Sequence, residues 1–135
     1  MKLIEIVEKL KLQVFSNEDK LNDIEVTGGY TSDLLSDVMG NAEEGQIWIT
    51  LQNHKNVMAV ASLKDMAAVV LVKGIKPEEN FLKQSEEEGI PVLGTDRQAF
   101  EMSGELFQII SPTPALPQGE GETDGRTGSS PLGGG

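Results

Sequence analysis

The chain has no cysteine, and this absence excludes a large part of protein chemistry. Disulfides, thiolate nucleophiles, cysteine-ligated zinc and iron–sulfur clusters all need a thiol. A single histidine, His54, cannot build a histidine-rich metal site. The sequence also lacks the GxxxxGK[ST] pattern of a P-loop and any recognisable Ser-His-Asp arrangement. It therefore predicts no metal site and no cofactor, and it favours a protein that is not an enzyme.

Basic residues are few relative to acidic ones, 11 against 22, which gives a formal net charge of −11. Without the three acids and one arginine of residues 111–135, the remaining chain carries −9. Nucleic acid and anionic lipid would both need a basic face. Long apolar runs are missing, and residues 1–12 mix Lys and Glu with apolar residues, unlike a signal peptide. We therefore expect a cytoplasmic protein that binds neither nucleic acid nor membranes.

Residues 111–135 consist mainly of proline, glycine, serine and threonine and have almost nothing to bury. Such a segment cannot offset the entropy lost on ordering. We expect a disordered Pro/Gly-rich tail over residues 111–135. Residues 1–110 then form one domain, which is long enough for one modest core.

Strand-like and helix-like segments alternate along residues 1–110. A first amphipathic helix is predicted near residues 3–10. Short apolar runs predict strands, and a helix should follow each of the last four; the strand candidates are residues 12–15, 24–26, 46–51, 66–72 and 91–94. A Thr95–Gln98 capping box begins the final helix, whose apolar stripe is Ala99, Phe100, Ser103, Leu106, Phe107 and Ile110. This alternation predicts an α/β fold with a mostly parallel sheet of about 4–5 strands flanked by helices.

The stretch from residue 23 to residue 38, DIEVTGGYTSDLLSDV, is the most informative. Gly28-Gly29 predicts a turn after a strand, and Thr31 or Ser32 is expected to cap a helix with Asp33 in its first turn. Such a turn brings free backbone N–H groups and the positive end of a helix together, which suits an anion. The alternative is a tight turn that needs glycine and binds nothing.

The carboxyl ends of parallel strands meet at one edge of a sheet, so four strand exits should lie close together. They contribute the candidate ligand-binding residues, which are Gly28, Gly29, Thr31, Ser32, Asp33, Gln52, His54, Asn56, Lys73, Gly74 and Thr95. Lys76 and Arg97 add cations at the same edge. Cations beside helix N-termini favour a phosphate or carboxylate ligand. The alternative is that these lysines are solvated loop charges.

Three further features each have two interpretations. His54 is either a capping or hydrogen-bonding residue or a general acid–base. Trp48 either packs in the sheet or offers a stacking surface. Asp33 and Asp37, one helical turn apart in the predicted helix, form either a solvated face or a metal site.

Three segments carry a family resemblance: GGYTSDLLSDVM at residues 28–39, QNHKNVMAVASL at residues 52–63, and EGIPVL at residues 88–93. With them the chain resembles small stand-alone DRTGG-domain proteins of bacteria over about residues 1–110. The resemblance implies an α/β domain similar to the N-terminal domain of HPr kinase/phosphorylase, without the catalytic domain of that enzyme. Related domains accompany nucleotide-sensing CBS modules, which implies regulation by ligand binding.

The chain departs from the motif that names the family. Where the family has Gly-Asp-Arg, this chain has Asn53-His54-Lys55, and where the family has Thr-Gly-Gly it has Val72-Lys73-Gly74. Both departures fall at predicted strand exits. We predict a noncatalytic regulatory domain that binds a small anionic ligand, with a nucleotide as one candidate, at the C-terminal edge of the sheet. The alternative is a protein-interaction subunit whose sheet edge or apolar helix face docks on a partner enzyme or a second copy.

Overall fold

The structure, a computed structural model, describes residues 1–110, so the tail predicted over residues 111–135 lies outside the described residues. Helices and strands alternate as the sequence predicts. Along the chain they are α1 (Leu3–Leu10), β1 (Gln13–Val14), a 3-10 helix (Glu18–Asp23), β2 (Gly28–Thr31), α2 (Leu35–Asn41), β3 (Gln46–Thr50), α3 (Lys55–Leu63), β4 (Ala68–Leu71), α4 (Glu79–Glu88), β5 (Val92–Gly94) and α5 (Ala99–Ile110).

The five strands form one sheet in the order β1-β5-β4-β3-β2. Strands β2 to β5 are parallel, and β1 runs antiparallel to β5. Helices α1 and α5 cover one face around Leu3, Ile6 and Leu106, and α2, α3 and α4 cover the other around Val57 and Phe81. This arrangement confirms the predicted α/β fold with a mostly parallel sheet.

The central strands are buried on both faces, as their continuous apolar sequence predicts. All residues of β4 are buried, and Trp48 in β3 is fully buried. The indole Nε1 of Trp48 donates a hydrogen bond to the carbonyl oxygen of Ser32 at 2.8 Å. Trp48 therefore packs within the fold and presents no stacking surface to solvent.

The predicted Gly28-Gly29 turn is wrong, because both glycines lie inside strand β2 with no positive φ. The sequence predicts a strand over residues 24–26, but β2 begins only at Gly28, which pairs with Gln46, the first residue of β3. At Gly29, an added Cβ would lie 2.9 Å from Cδ2 of Leu106. A side chain at this position would force the buried Leu106 side chain of α5 to shift, so glycine lets α5 pack closely on the strand.

Helix α2 begins at Leu35, later than the predicted cap at Thr31 or Ser32. Thr31 still belongs to β2, where it pairs with Ile49, and Ser32 Oγ accepts a hydrogen bond from the backbone N of Leu34 at 3.1 Å. Asp33 consequently precedes the helix. The expectation that Asp33 and Asp37 lie one helical turn apart is therefore wrong.

The start and the buried face of α5 also differ from the prediction. The predicted Thr95–Gln98 capping box is wrong; instead, the backbone N of Gln98 donates to Oε1 of Glu101 at 3.2 Å, which forms the carboxylate half of a capping box three residues later. Phe100 and Phe107 of the predicted stripe are 89% and 66% exposed, whereas Met102 is buried beside Leu106. The helix carries two apolar lines, and the sheet covers the one that contains Met102 and Leu106.

Candidate functional site

The loops at the C-terminal edge of the parallel strands join in a continuous row. Gln52 Nε2 donates to the carbonyl oxygen of Asp33 at 3.1 Å, which links the loops after β2 and β3. Asn53 Nδ2 donates to the carbonyl oxygen of Lys76 at 2.7 Å, which links those after β3 and β4. The backbone N of Gly74 donates to the carbonyl oxygen of Thr95 at 2.9 Å, which adds the loop after β5. The predicted convergence of these loops is therefore present.

One half of this edge forms a hydrogen-bonded cluster that we call the Asp33 network, defined as Asp33, Thr50, Gln52 and His54. Asp33 Oδ1 accepts from Thr50 Oγ1 at 2.8 Å and from the backbone N of Leu51 at 2.7 Å. Thr50 is almost fully buried, so its hydroxyl needs this partner. The Asp33 carboxylate thus fastens the loop after β2 to the end of β3.

Gln52 and His54 extend the same network. The amide Nε2 of Gln52 points at the Asp33 carbonyl, which can only accept, so Gln52 Oε1 faces His54. The distance from His54 Nε2 to Gln52 Oε1 is 3.0 Å. Because Oε1 is also an acceptor, His54 Nε2 carries the proton in this contact. His54 thus acts as a hydrogen-bond donor that supports a loop.

The other half of the edge contains an open cavity of about 380 Å³, which we call the rim cavity. It lies where β4 and β5 end and where β1, antiparallel to β5, begins. Its lining residues are Leu10, Lys11, Leu12, Gln13, Phe15, Gly74, Ile75, Lys76, Gly94, Thr95, Asp96 and Arg97.

Three cations line the rim cavity. Arg97 donates from Nη1 to the carbonyl oxygen of Leu10 at 2.9 Å, and its Nε lies 3.1 Å from Oε1 of Glu105. Arg97 therefore joins α1 to α5, and its charge is partly compensated. Within residues 1–110, Lys11 and Lys76 take part in no salt bridge. The Lys76 ammonium lies 5.6 Å from the centre of the Phe15 ring, a cation–π contact.

Two glycines shape the wall of the rim cavity. Gly74 has a φ of +69°, and an added Cβ would lie 3.1 Å from Asp96 Oδ1. At Gly94 an added Cβ would lie 2.5 Å from Cε2 of Phe15, so the aromatic ring rests directly on the strand backbone. Side chains at either position would intrude on the cavity or displace its aromatic wall.

The structure separates the candidate ligand-binding residues into three places. Gly74 and Thr95 line the rim cavity, with the exposed Lys73 on the same loop. Asp33, Gln52 and His54 belong to the Asp33 network, with Asn56 exposed in the first turn of α3 and Ser32 bonded instead to Leu34. Gly28 and Gly29 lie in β2, away from the loop row. Thr31 Oγ1 lies 2.7 Å from Ser103 Oγ of α5. The rim cavity and the Asp33 network are thus neighbouring but distinct.

Lys11, Gln13, Phe15 and Gly94 line the cavity but were missed by the sequence reasoning. They come together because Gln13 in β1 pairs with Gly94 in β5. Two residues of strand give no periodic pattern that could show an antiparallel partner. Lys11 ends α1 in the left-handed conformation with a φ of 54°, a feature that the structure shows and a lysine in the sequence does not indicate.

Asp37 lies apart from both groups. The hydroxyls of Ser32 and Tyr30 lower the pKa of Asp37 below its usual value, and Tyr30 OH donates to Asp37 Oδ2 at 2.9 Å. Asn41 Nδ2 donates to Asp37 Oδ1 at 3.1 Å. Within residues 1–110 no three histidine or carboxylate side chains are grouped so as to hold a metal ion. None of the helices in this part of the chain is long and apolar enough to cross a bilayer.

Comparisons with known proteins give a family and a similar fold. The family model described as "DRTGG domain" matches residues 5–109. A similar solved structure contains the CBS and DRTGG domains of the regulatory region of a Clostridium perfringens pyrophosphatase, complexed with the activator diadenosine tetraphosphate. The TM-score is 0.60 at 16% identity, with 81% of this chain and 46% of that chain covered. The present chain thus spans less than half of that structure, and the likeness concerns the fold. A comparison with curated proteins found no match.

Proposed function

Because the chain belongs to the DRTGG-domain family, we propose that it is a noncatalytic regulatory domain that binds a small anionic ligand in the rim cavity. The observation that carries this proposal is the placement of Lys11 and Lys76 on one cavity of about 380 Å³. In a chain with a net charge of −11, the lining holds three cations, of which Arg97 is paired with Glu105, against the single carboxylate of Asp96. This local excess of positive charge attracts anions.

The form of the cavity supports a small ligand. Its volume lies in the range of about 300 to 1,000 Å³ that small-molecule sites occupy. Phe15, Leu12 and Ile75 supply apolar wall, while Thr95 and the two lysines supply polar contacts. A ligand with one compact anionic group and a small apolar or planar part matches this lining.

A nucleotide is the finer candidate for the ligand. The similar pyrophosphatase structure is a regulatory region complexed with a dinucleotide activator, and its DRTGG domain shares the fold of this chain. A mononucleotide combines a phosphate for Lys11 and Lys76 with a planar base for an aromatic wall. A nucleotide is also the ligand of the pyrophosphatase regulatory region, which contains a DRTGG domain beside its CBS domains, and this analogy between domains supports the choice.

The absence of catalysis is the second part of the proposal. An acid–base catalyst needs a titratable group within reach of a substrate atom. The Nε2 of His54 is engaged by Gln52, and the Asp33 carboxylate is engaged by Thr50 and Leu51. These contacts support a structural role for the two residues that come nearest to catalytic candidates.

Isothermal titration and thermal shift would test ligand binding. We expect inorganic phosphate, AMP, ATP, acetyl phosphate or diadenosine tetraphosphate to bind, and uncharged adenosine to bind more weakly. At 100 times Kd, binding should stabilise the fold by about 2.7 kcal/mol. No stabilisation by any anion at millimolar concentration would contradict the proposal.

A matched pair of double variants locates the site. Lys11→Gln with Lys76→Gln removes two charges from the rim cavity, and Lys9→Gln with Lys83→Gln removes two exposed charges elsewhere. Each lost charged contact should weaken binding by about 10-fold or more. The control pair should keep most of the affinity. Equal losses in the two double variants would show that net charge, and not the rim cavity, attracts the ligand.

A protein-interaction subunit is a second candidate function. Phe100 and Phe107 are 89% and 66% exposed, seven residues apart on α5. Exposed large apolar side chains mark docking surfaces when they cluster. Phe100→Gln should then weaken binding to a partner enzyme that co-purifies with the full chain, while ligand binding in the rim cavity stays unchanged. An unchanged complex would count against this second candidate.

A further inference from the structure

Strand β2 forms one outer edge of the sheet. Within residues 1–110 it pairs with β3 alone, over four residues from Gly28 to Thr31. The opposite edge strand, β1, has two residues, and a very short strand offers little for another strand to pair with. The β2 edge is therefore the edge of this sheet that is open to extension.

The direction of the backbone groups in β2 follows from one hydrogen bond. The backbone N of Ser32 donates to the carbonyl oxygen of Ile49 at 3.2 Å, so Ser32 faces β3. Backbone groups of successive strand residues point to alternate sides. Tyr30 consequently faces β3 as well, while the N–H and C=O groups of Gly29 and Thr31 point away from the sheet.

The β2 edge carries none of the features that commonly prevent edge-to-edge pairing. Exposed edges are usually protected by lysine, proline, an inward charge or a bulge. Residues 26–32, VTGGYTS, contain no charged residue and no proline, although 24% of the chain is charged. The residues of α5 nearest this edge are uncharged too; they are Ser103, Gly104 and Phe107.

We propose that β2 pairs in antiparallel fashion with β2 of a second copy of this chain, across a two-fold axis at Tyr30. In this register Gly29 lies opposite Thr31 of the second copy and exchanges both backbone hydrogen bonds with it, and the two-fold axis repeats the exchange. The two Tyr30 residues face each other without backbone bonds, at a Cα separation of about 4.5 Å. The two five-stranded sheets become one continuous sheet.

Charge restricts where a second copy of this chain can dock. A chain with a net charge of −11 repels its own copies wherever carboxylates would meet, so self-association needs a neutral surface. The β2 edge supplies one. The Asp37 carboxylate lies in α2, where it accepts hydrogen bonds from Tyr30 OH and Asn41 Nδ2. It keeps its charge, so its repulsion between the two copies is part of what added salt would screen.

Packing beside the edge supports the same arrangement. Phe107, 66% exposed, borders a cavity of about 190 Å³ with Gly29, Thr31 and Leu106. Pairing of the strands brings Phe107 of both copies towards the junction, where apolar surface is lost to water. A symmetric contact of this kind needs one self-complementary patch, the commonest arrangement in protein dimers.

Sedimentation of the full chain tests the association. We expect a monomer–dimer equilibrium that shifts towards dimer as NaCl rises from about 0.05 to 0.5 M, because salt screens the repulsion between acidic copies. A chain that stays monomeric to about 1 mM would overturn the proposal. A dimer that salt weakens would overturn it too, because that result means that opposite charges hold the copies together.

Amide hydrogen exchange on the unchanged chain tests the register. Protection of the Gly29 and Thr31 amides should increase with protein concentration, while the Tyr30 amide, which faces β3, should stay constant. Concentration-independent exchange at Gly29 and Thr31 in a chain shown to be dimeric would overturn the proposed pairing.

The cysteine-free sequence permits a clean cross-linking test. Tyr30→Cys should form a disulfide-linked dimer on mild oxidation, because the opposed Cα atoms lie within disulfide range. Leu63→Cys on α3, a position that is more exposed to solvent than Tyr30, is the control and should cross-link far less despite its greater exposure. Phe107→Glu should weaken the dimer by about 10-fold through like-charge repulsion, and Phe100→Glu should not. Equal cross-linking at the two positions, or equal effects of the two glutamates, would overturn the arrangement.

Discussion

The Asp33 network and the rim cavity lie on the same edge of the sheet, yet their polar residues serve different ends. In the Asp33 network each polar side chain bonds to another part of the protein, from Asp33 to Thr50 and from Gln52 to His54. In the rim cavity, Lys11 and Lys76 face an open space. Polar residues after strands therefore fall into two classes, those that fasten loops and those with capacity left for a ligand.

The largest expected effect separates these classes at Asp33. Asp33→Ala leaves the buried Thr50 hydroxyl and the Leu51 N–H without their acceptor. Hydrogen bonds to charged groups contribute about 1.5–3 kcal/mol each, and exposure of Asp33 reduces this, so we expect a loss of about 2–3 kcal/mol in the free energy of unfolding. Urea denaturation would measure it. Asp33→Asn keeps an acceptor and should lose about 1 kcal/mol.

The contrast becomes sharper if the folded fraction of Asp33→Ala is titrated with ligand. The affinity of the rim cavity should stay close to that of the unchanged chain. A tenfold loss of affinity with preserved folding would instead place Asp33 in contact with the ligand and merge the two regions.

A smaller effect is expected at Gly74 in the rim cavity. Gly74→Ala places a side chain in the left-handed conformation, at a cost of about 1–2 kcal/mol, and brings its Cβ to 3.1 Å from Asp96 Oδ1. Gly104→Ala in α5, where an added Cβ meets nothing within 4 Å, should stabilise by about 1 kcal/mol. Thermal unfolding of the two variants compares them. Equal Tm shifts would contradict the conformational explanation.

His54→Ala tests the assignment of His54 to the network. The variant loses one hydrogen bond to Gln52, worth about 0.5–1.5 kcal/mol, and should keep the ligand affinity of the rim cavity. Denaturation and titration on the same samples would check both values. An intact fold with no ligand binding would show that His54 belongs to the site and would reopen the question of catalysis.

The smallest expected effect is on the stability of the fold at low pH. The hydroxyls of Ser32 and Tyr30 lower the pKa of Asp37 in the folded state, so the carboxylate form contributes stability that is present above its unfolded pKa, near 4. That contribution is lost as the pH falls through the lower folded pKa. Asp37→Asn removes this contribution, so the variant should be less stable than the unchanged chain at pH 7, and the difference should shrink as the pH falls below about 4. A difference that grew as the pH fell below about 4 would contradict the assignment.

Much of the fold could be predicted from the sequence because its signals are local. The continuous apolar run of β4 and the left-handed Gly89 that ends α4 both reflect local physics. Gly28-Gly29 misled the prediction because two different requirements select glycine. A turn needs positive φ, whereas β2 needs space for Leu106 of α5, a contact 77 residues away that no local pattern can show.

The sequence could predict where the site lies, but not which residues line it. Parallel strands dictate that their exits converge, and residues 52–56, 73–76 and 95–97 do converge. Which of their polar groups stay free depends on long-range partners, such as the pairing of Gln13 with Gly94 that brings Lys11 to Lys76. For the same reason Arg97, expected as a free cation, is instead held by Leu10 and Glu105.

The central claim is that the rim cavity, and not the Asp33 network, receives the anion. A titration of the 15N-labelled full chain with inorganic phosphate or AMP, followed by amide chemical shifts, tests this most directly. We predict saturable shifts at residues 10–13, 74–76 and 94–97, with residues 32–33 and 52–54 nearly unchanged. Shifts confined to residues 32–33 and 52–54, or no saturable shift anywhere, would contradict the account.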